Sequence, residues 1–212
     1  MSRRTTFIVA ALSMLALGSP LNTGCTKNSL AIQYFEQGVE KHREKSYQEA
    51  IDAYTKAIEI SPLNEDAYYN RGHAQHMLYN FQEAIDDYTR VIDIEPKHIR
   101  AYRMRGVAKA GFGDSQGAMA DYTMAIEIAP YDAQAYYNRG VLKMELFEFQ
   151  GAFTDFTKVI DLDTQNASAY KSRGVISEIE GNRDAACQDW KKAADLGFEE
   201  PAEIASLLAS CS

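Results

Sequence analysis

The chain has 212 residues, with 22 Lys plus Arg against 30 Asp plus Glu and a formal net charge of −8. That length allows one sizeable core or one elongated array. The excess of acid argues against a nucleic-acid surface, which needs clustered Lys and Arg, and against docking on an anionic membrane.

Arg3 and Arg4 give a positive start, Phe7 to Leu17 is an almost unbroken apolar run, and Gly18, Ser19 and Pro20 end it. This is the layout of a secretory signal peptide, expected over residues 1–24, and the run is too short to span a bilayer as a helix. Thr23-Gly24-Cys25 resembles the end of a bacterial lipobox, in which the Cys is lipidated and becomes the new N-terminus. Asn22 departs from that pattern, with Leu21 one place too early, so simple secretion is the alternative to lipidation at Cys25. Residues 25–30 follow as a polar tether. Removing residues 1–24 removes two Arg, which takes the charge from −8 to −10.

From residue 31 the chain aligns with itself at a shift of 34 residues without gaps. Tyr recurs at Tyr34, Tyr68, Tyr102, Tyr136 and Tyr170, and Gly four places later at Gly38, Gly72, Gly106, Gly140 and Gly174. Ala50, Ala84, Ala118, Ala152 and Ala186 come next, then the aromatics Tyr54, Tyr88, Tyr122, Phe156 and Trp190. Small apolar residues follow at Ala57, Val91, Ala125, Val159 and Ala193. Pro62, Pro96 and Pro130 close three units, while Thr164 and Phe198 stand at the end of the last two. Each unit holds two apolar-periodic stretches joined by a short turn, as at Asp114-Ser115 or Gly181-Asn182. Gly inside a helix is unfavourable by about 1 kcal/mol relative to Ala, so its fivefold recurrence needs a packing reason. Gly on the first stretch and Ala on the second let two helix axes approach closely.

A period of this length with these residues resembles the tetratricopeptide repeat. The resemblance spans residues 31–198 and implies an all-α fold, a right-handed α-α superhelix of five 34-residue helix pairs. The pairs are expected at 31–64, 65–98, 99–132, 133–166 and 167–200. One pair cannot bury its apolar face alone, whereas stacked pairs can, and the last must be covered by an element with a polar outer face. Pro201 to Ala209 suits that role, and residues 199–212 are expected to form a capping helix.

Units two to five carry Arg71, Arg105, Arg139 and Arg173 just before the recurring Gly, and Asp87, Asp121, Asp155 and Asp189 16 residues later. Unit one lacks both, with Gln37 and Ala53 in those places. Joint presence and joint absence predict structural ion pairs, either within a unit or between neighbours such as Asp87 with Arg105. Cys187 sits in the slot held by Ile51, Ile85, Met119 and Phe153, which should face the next element along the stack. For the last unit that element is the cap, which ends in Cys211, and an exported chain meets an oxidising compartment. A Cys187–Cys211 disulfide is therefore expected.

The sequence holds no phosphate loop, nucleophile elbow, zinc-spaced Cys/His set or metalloprotease motif, so an enzyme is not expected, nor a cofactor. His42, His73 and His76 could share a groove, but solvated His is the simpler reading of them, and no metal is expected. The resemblance implies that the first helices line a concave groove where peptides or partner helices sit. Its expected contact residues are Phe35, Tyr69, Asn70, His73, Arg100, Arg103, Tyr137, Asn138 and Lys171. Tyr, Arg and Asn offer large area with polar tips. The positions by which some relatives grip the C-terminal carboxylate of cytosolic chaperones read Phe35, Val39, Asn70, Arg100 and Met104, or Tyr69, His73, Met104, Gln134 and Asn138. Neither set has the charges needed. The expectation is an adaptor or scaffold of the bacterial envelope, periplasmic or lipid-anchored, that binds proteins or peptides. Its membrane contact would run through the lipid anchor alone, and its oligomeric state is open. A structural subunit using convex or end surfaces, and a small-ligand or glycan-binding module, are the alternatives.

Overall fold

The structure, a computed structural model, describes residues 23–198 together with Ser206, Leu208, Ala209 and Cys211. The described residues form ten α-helices and no strand. They are α1 (Thr23–Arg43), α2 (Tyr47–Ile60), α3 (Glu65–Met77), α4 (Phe81–Ile94), α5 (Ile99–Phe112), α6 (Ser115–Ile128), α7 (Ala133–Glu145), α8 (Phe149–Leu162), α9 (Ala167–Ile179) and α10 (Arg183–Asp195). Each helix packs on the one before and the one after it, and first helices of adjacent pairs also touch. This is a solenoid of helix pairs. No helix among the described residues is long and apolar enough to cross a membrane.

The starts of α3, α5, α7 and α9 fall on the first residues of units two to five, and each has a cap one residue earlier. The side chains of Asn64, His98, Asp132 and Asn166, spaced by 34, accept hydrogen bonds from the backbone N–H groups of Ala67, Ala101, Ala135 and Ala169. These satisfy donors that a helix N-terminus leaves without an intrahelical partner. Those four Ala are fully buried, a second small-residue row that lets each pair settle on its predecessor.

Within a pair, the recurring Gly meets the recurring aromatic. A Cβ on Gly38 would lie 2.5 Å from the Tyr54 ring, and one on Gly106 would lie 2.6 Å from Tyr122. The aromatics Tyr54, Tyr88, Tyr122, Phe156 and Trp190 are buried, as are the five Ala four positions before them. Helix propensity lost at Gly is thus offset by the area those rings bury.

The turn inside each pair also repeats. Lys45, Tyr79, Gly113, Phe147 and Gly181, again 34 apart, all have positive φ. A left-handed residue lets the chain reverse after the first helix, so Gly suits the position and the other three are adopted at a cost.

Residues 25–30, expected as a tether, instead belong to α1. Beyond Gly24 the segment holds neither Gly nor Pro, and extending an existing helix costs little once the packed part of α1 has nucleated it. The expected signal peptide lies outside the described residues, apart from Thr23 and Gly24 in α1. The capping helix also lies outside them, apart from Ser206, Leu208, Ala209 and Cys211. Cys187 and Cys211 are joined as a disulfide, with Cα atoms 5.7 Å apart.

Candidate functional site

The first helices present a wall whose residues differ widely in their freedom. Tyr69 is half-buried on α3, and Arg100 at the start of α5 places its guanidinium 5.1 Å from the ring centre. His98 and Tyr88 flank the same ring, each at 5.6 Å between centroids. His73, one turn along α3, shares a hydrogen bond of 2.8 Å between its Nδ1 and Nε2 of His42 on α1. His76 packs against Phe81. Burial lowers the pKa of all three His, and for His73 the charges of His42, His76 and Arg100 add to it. Neutral imidazoles suit the His42–His73 contact, since one ring must donate and the other accept.

Further along, Tyr137 on α7 lines a recess of about 120 Å³ with Gln134, Asn166 and Ser168. Asn138 accepts a hydrogen bond from Gln134 through its Oδ1 at 2.9 Å. Lys171 on α9 holds its ammonium 5.1 Å from the centre of the Phe198 ring. Other expected contact residues are engaged within the array. Phe35 packs against Tyr54 in the core between α1 and α2. Asn70 donates to the backbone carbonyl of Asp66 at 2.7 Å, and Arg103 pairs with Asp132 at 3.8 Å.

The four Arg–Asp pairs form within their own units. Arg71 Nε donates to Asp87 Oδ2 at 2.9 Å and Nη2 to Oδ1 at 2.7 Å, and Arg105–Asp121, Arg139–Asp155 and Arg173–Asp189 repeat this two-pronged contact. The remaining Nη1 of each Arg reaches back to the preceding unit, donating to Thr55, Thr89, Thr123 or Thr157. The recurring Tyr68, Tyr102, Tyr136 and Tyr170 lie beside the guanidinium groups, 5.5 to 5.7 Å from ring centre to Arg carbon. One Arg thus ties its own helix pair together and ties that pair to the previous one. The sequence reading missed the Thr row, although its 34-residue spacing was there to be found.

Two models of the tetratricopeptide repeat match residues 65–98 and 133–166, and a model described as TPR repeat matches 33–78. The chain carries tetratricopeptide repeats. Solved structures superpose on it over most of their length. A crystal structure of MamA has a TM-score of 0.71 at 25% identity, covering 82% of this chain and 95% of MamA. YrrB, titled a TPR protein with an unusual peptide-binding site, has a TM-score of 0.67 at 20% identity, covering 91% and 97%. PilF of Pseudomonas aeruginosa has a TM-score of 0.72 at 16% identity, covering 87% and 90%. No curated protein matches the sequence. Proteins built from tetratricopeptide repeats are in general interaction modules that bind proteins or peptides.

Proposed function

We propose that the chain is an adaptor that binds a protein or peptide along the wall formed by α3, α5 and α7. The observation that carries this reading is the grouping of Tyr69, His98 and Arg100, with His73 one turn away. An aromatic body with a stacked guanidinium and neighbouring imidazoles gives apolar area, a cation and hydrogen-bonding tips in one place, the composition of binding hot spots. The recess at Tyr137 extends the same wall by two repeats. YrrB is a precedent for a peptide site on this fold.

The N-terminal pattern supports export and, through Cys25, a lipid anchor, which would place the adaptor in a bacterial envelope. Capture from a native envelope extract tests the reading, with the protein and its Tyr69→Ala/Tyr137→Ala variant as baits and circular dichroism to verify that both fold. The expected result is a partner held by the parent and lost with the variant. Equal capture by both baits refutes the groove. Labelling with a radioactive fatty acid that disappears in Cys25→Ser tests the anchor, and an unlabelled parent refutes it.

A further inference from the structure

The turns inside the helix pairs line one edge of the solenoid. Among the described residues, more than half of the exposed large hydrophobic side chains stand at these turns. Repeat two presents Leu78 and Tyr79, repeat three Phe112, repeat four Leu146 and Phe147, and repeat five Ile179. Apolar area gathered in this way marks an interaction surface, whereas scattered exposed residues do not.

Stability does not account for the two most exposed rings. Tyr79 and Phe147 both have φ of 61°, a conformation that bulky side chains rarely adopt, and repeats three and five put Gly113 and Gly181 in that place. The strain is not offset by burial, since the two residues are 80% and 78% exposed. Each ring is nonetheless held in a set orientation. Tyr79 stands edge-on to Phe81 with centroids 5.9 Å apart, and Phe147 stands edge-on to Phe149 at 6.1 Å. Phe81 in turn rests over Gly111 of repeat three, where a Cβ would come within 2.7 Å of the ring. A strained backbone that presents a fixed ring to solvent suits a contact with another molecule.

The charges along the same edge are acidic. Glu145 ends α7 and Glu180 caps the C-terminus of α9, both places where the helix dipole favours a cation. Glu148 stands at the start of α8, and its side chain makes no capping hydrogen bond. The cations nearest along the chain are engaged elsewhere, Lys143 with Asp155 and Arg183 with Glu178.

We propose that this edge docks a segment of a partner protein that carries Lys or Arg beside large apolar side chains. The rings at Tyr79 and Phe147 take the apolar groups, and the carboxylates at Glu145, Glu148 and Glu180 take the cations. A second copy would bring acid against acid, given the net charge of −8, and so would an anionic membrane. The edge is distinct from the groove. Tyr79 and Phe147 each follow a groove residue, Tyr69 or Tyr137, by ten positions, which is about 15 Å along a helix axis.

Fluorescence anisotropy of labelled peptides tests the proposal. The probes are a peptide alternating Leu with Arg, one alternating Ser with Arg, and one alternating Leu with Glu. The first should bind saturably, and the other two should bind about tenfold more weakly or less. Tyr79→Gly/Phe147→Gly should weaken the first peptide about tenfold without lowering the thermal midpoint, because Gly relieves the left-handed backbone. Glu145→Gln/Glu148→Gln/Glu180→Gln should weaken it and flatten its salt dependence. The groove variant Tyr69→Ala/Tyr137→Ala should bind it as the parent does, so this edge and the groove fail separately. Equal binding of the Leu/Arg and Ser/Arg peptides, unchanged affinity in the Gly variant, or loss in the groove variant alone overturns the proposal. Dimerisation of the parent that the Gly variant abolishes assigns the edge to a second copy, and flotation with phosphatidylcholine vesicles assigns it to a lipid surface. Either result overturns the proposal as well.

Discussion

Removing the Arg of repeat two should cost more stability than removing the Arg of repeat three, although the two make the same contacts. Asp87 and Asp121 are equally inaccessible, at 5% and 3% exposure, and each accepts two hydrogen bonds from its Arg. The difference is the second cation, Lys109 at 2.9 Å from Asp121, which has no counterpart among the contacts of Asp87. Arg71→Ala leaves a buried carboxylate uncompensated, a loss of about 3–5 kcal/mol. Arg105→Ala removes a charge-assisted contact but leaves Asp121 paired, a loss of about 1.5–3 kcal/mol. The expected gap is about 2 kcal/mol. Repeat one shows how the array does without the pair, since Gln37 and Ala53 replace both partners. Arg71→Gln/Asp87→Ala should accordingly recover most of the loss seen in Arg71→Ala. Urea unfolding followed by circular dichroism at neutral pH measures the parent and these three variants, provided the m-values agree. Acidification should narrow the gap, because burial raises the Asp87 pKa and a protonated Asp87 needs no cation. Equal losses in the two Arg variants, or a paired change as destabilised as Arg71→Ala, would refute the reasoning.

Three further outcomes follow from other features. The Tyr88 hydroxyl is buried without a hydrogen-bond partner, and repeat four has Phe156 in its place, so Tyr88→Phe should stabilise by about 1 kcal/mol in the same unfolding assay. A loss of that size would mean the hydroxyl is satisfied in solution. Lys45 is exposed with φ of 61°, so Lys45→Gly should raise the thermal midpoint, whereas Gly113→Ala, at φ of 94°, should lower it by the equivalent of about 1 kcal/mol. Matching signs for the two would contradict the shared left-handed turn. The pKa values of His42 and His73 are lowered in the folded protein, so the stability they contribute is complete above the unfolded value near 6.5 and is lost as pH falls below it. Thermal midpoints measured from neutral to mildly acidic pH should fall, and His73→Gln should flatten that dependence. An identical slope in the variant would remove the pair from the account.

Much of the solenoid was legible because its packing is local and repeated. The 34-residue period and the recurring Gly, Ala and aromatic positions concern residues whose spacing along the chain nearly sets their spacing in space, whereas the caps at Asn64, Asp132 and Asn166 and the meeting of Gly with the aromatic went unread. The groove was less legible. Helical periodicity placed Phe35, Tyr69 and Tyr137 on one face, but it could not say that Phe35 packs into the core on Tyr54 while Tyr69 receives Arg100 from the next repeat. Those outcomes depend on the size of side chains across an interface.

By itself the sequence determined the all-α fold and its 34-residue repeat, since backbone propensity and apolar period are properties of the chain. Only the tertiary structure decided between the two Arg–Asp pairings that the spacing allowed. It placed the carboxylate within the repeat and gave the neighbouring repeat the Thr hydroxyl instead. It also showed that Asp121 and Asp155 each hold a Lys besides their Arg. Both depend on the register between helices, which the close approach of Gly to its aromatic sets in three dimensions and no linear spacing encodes.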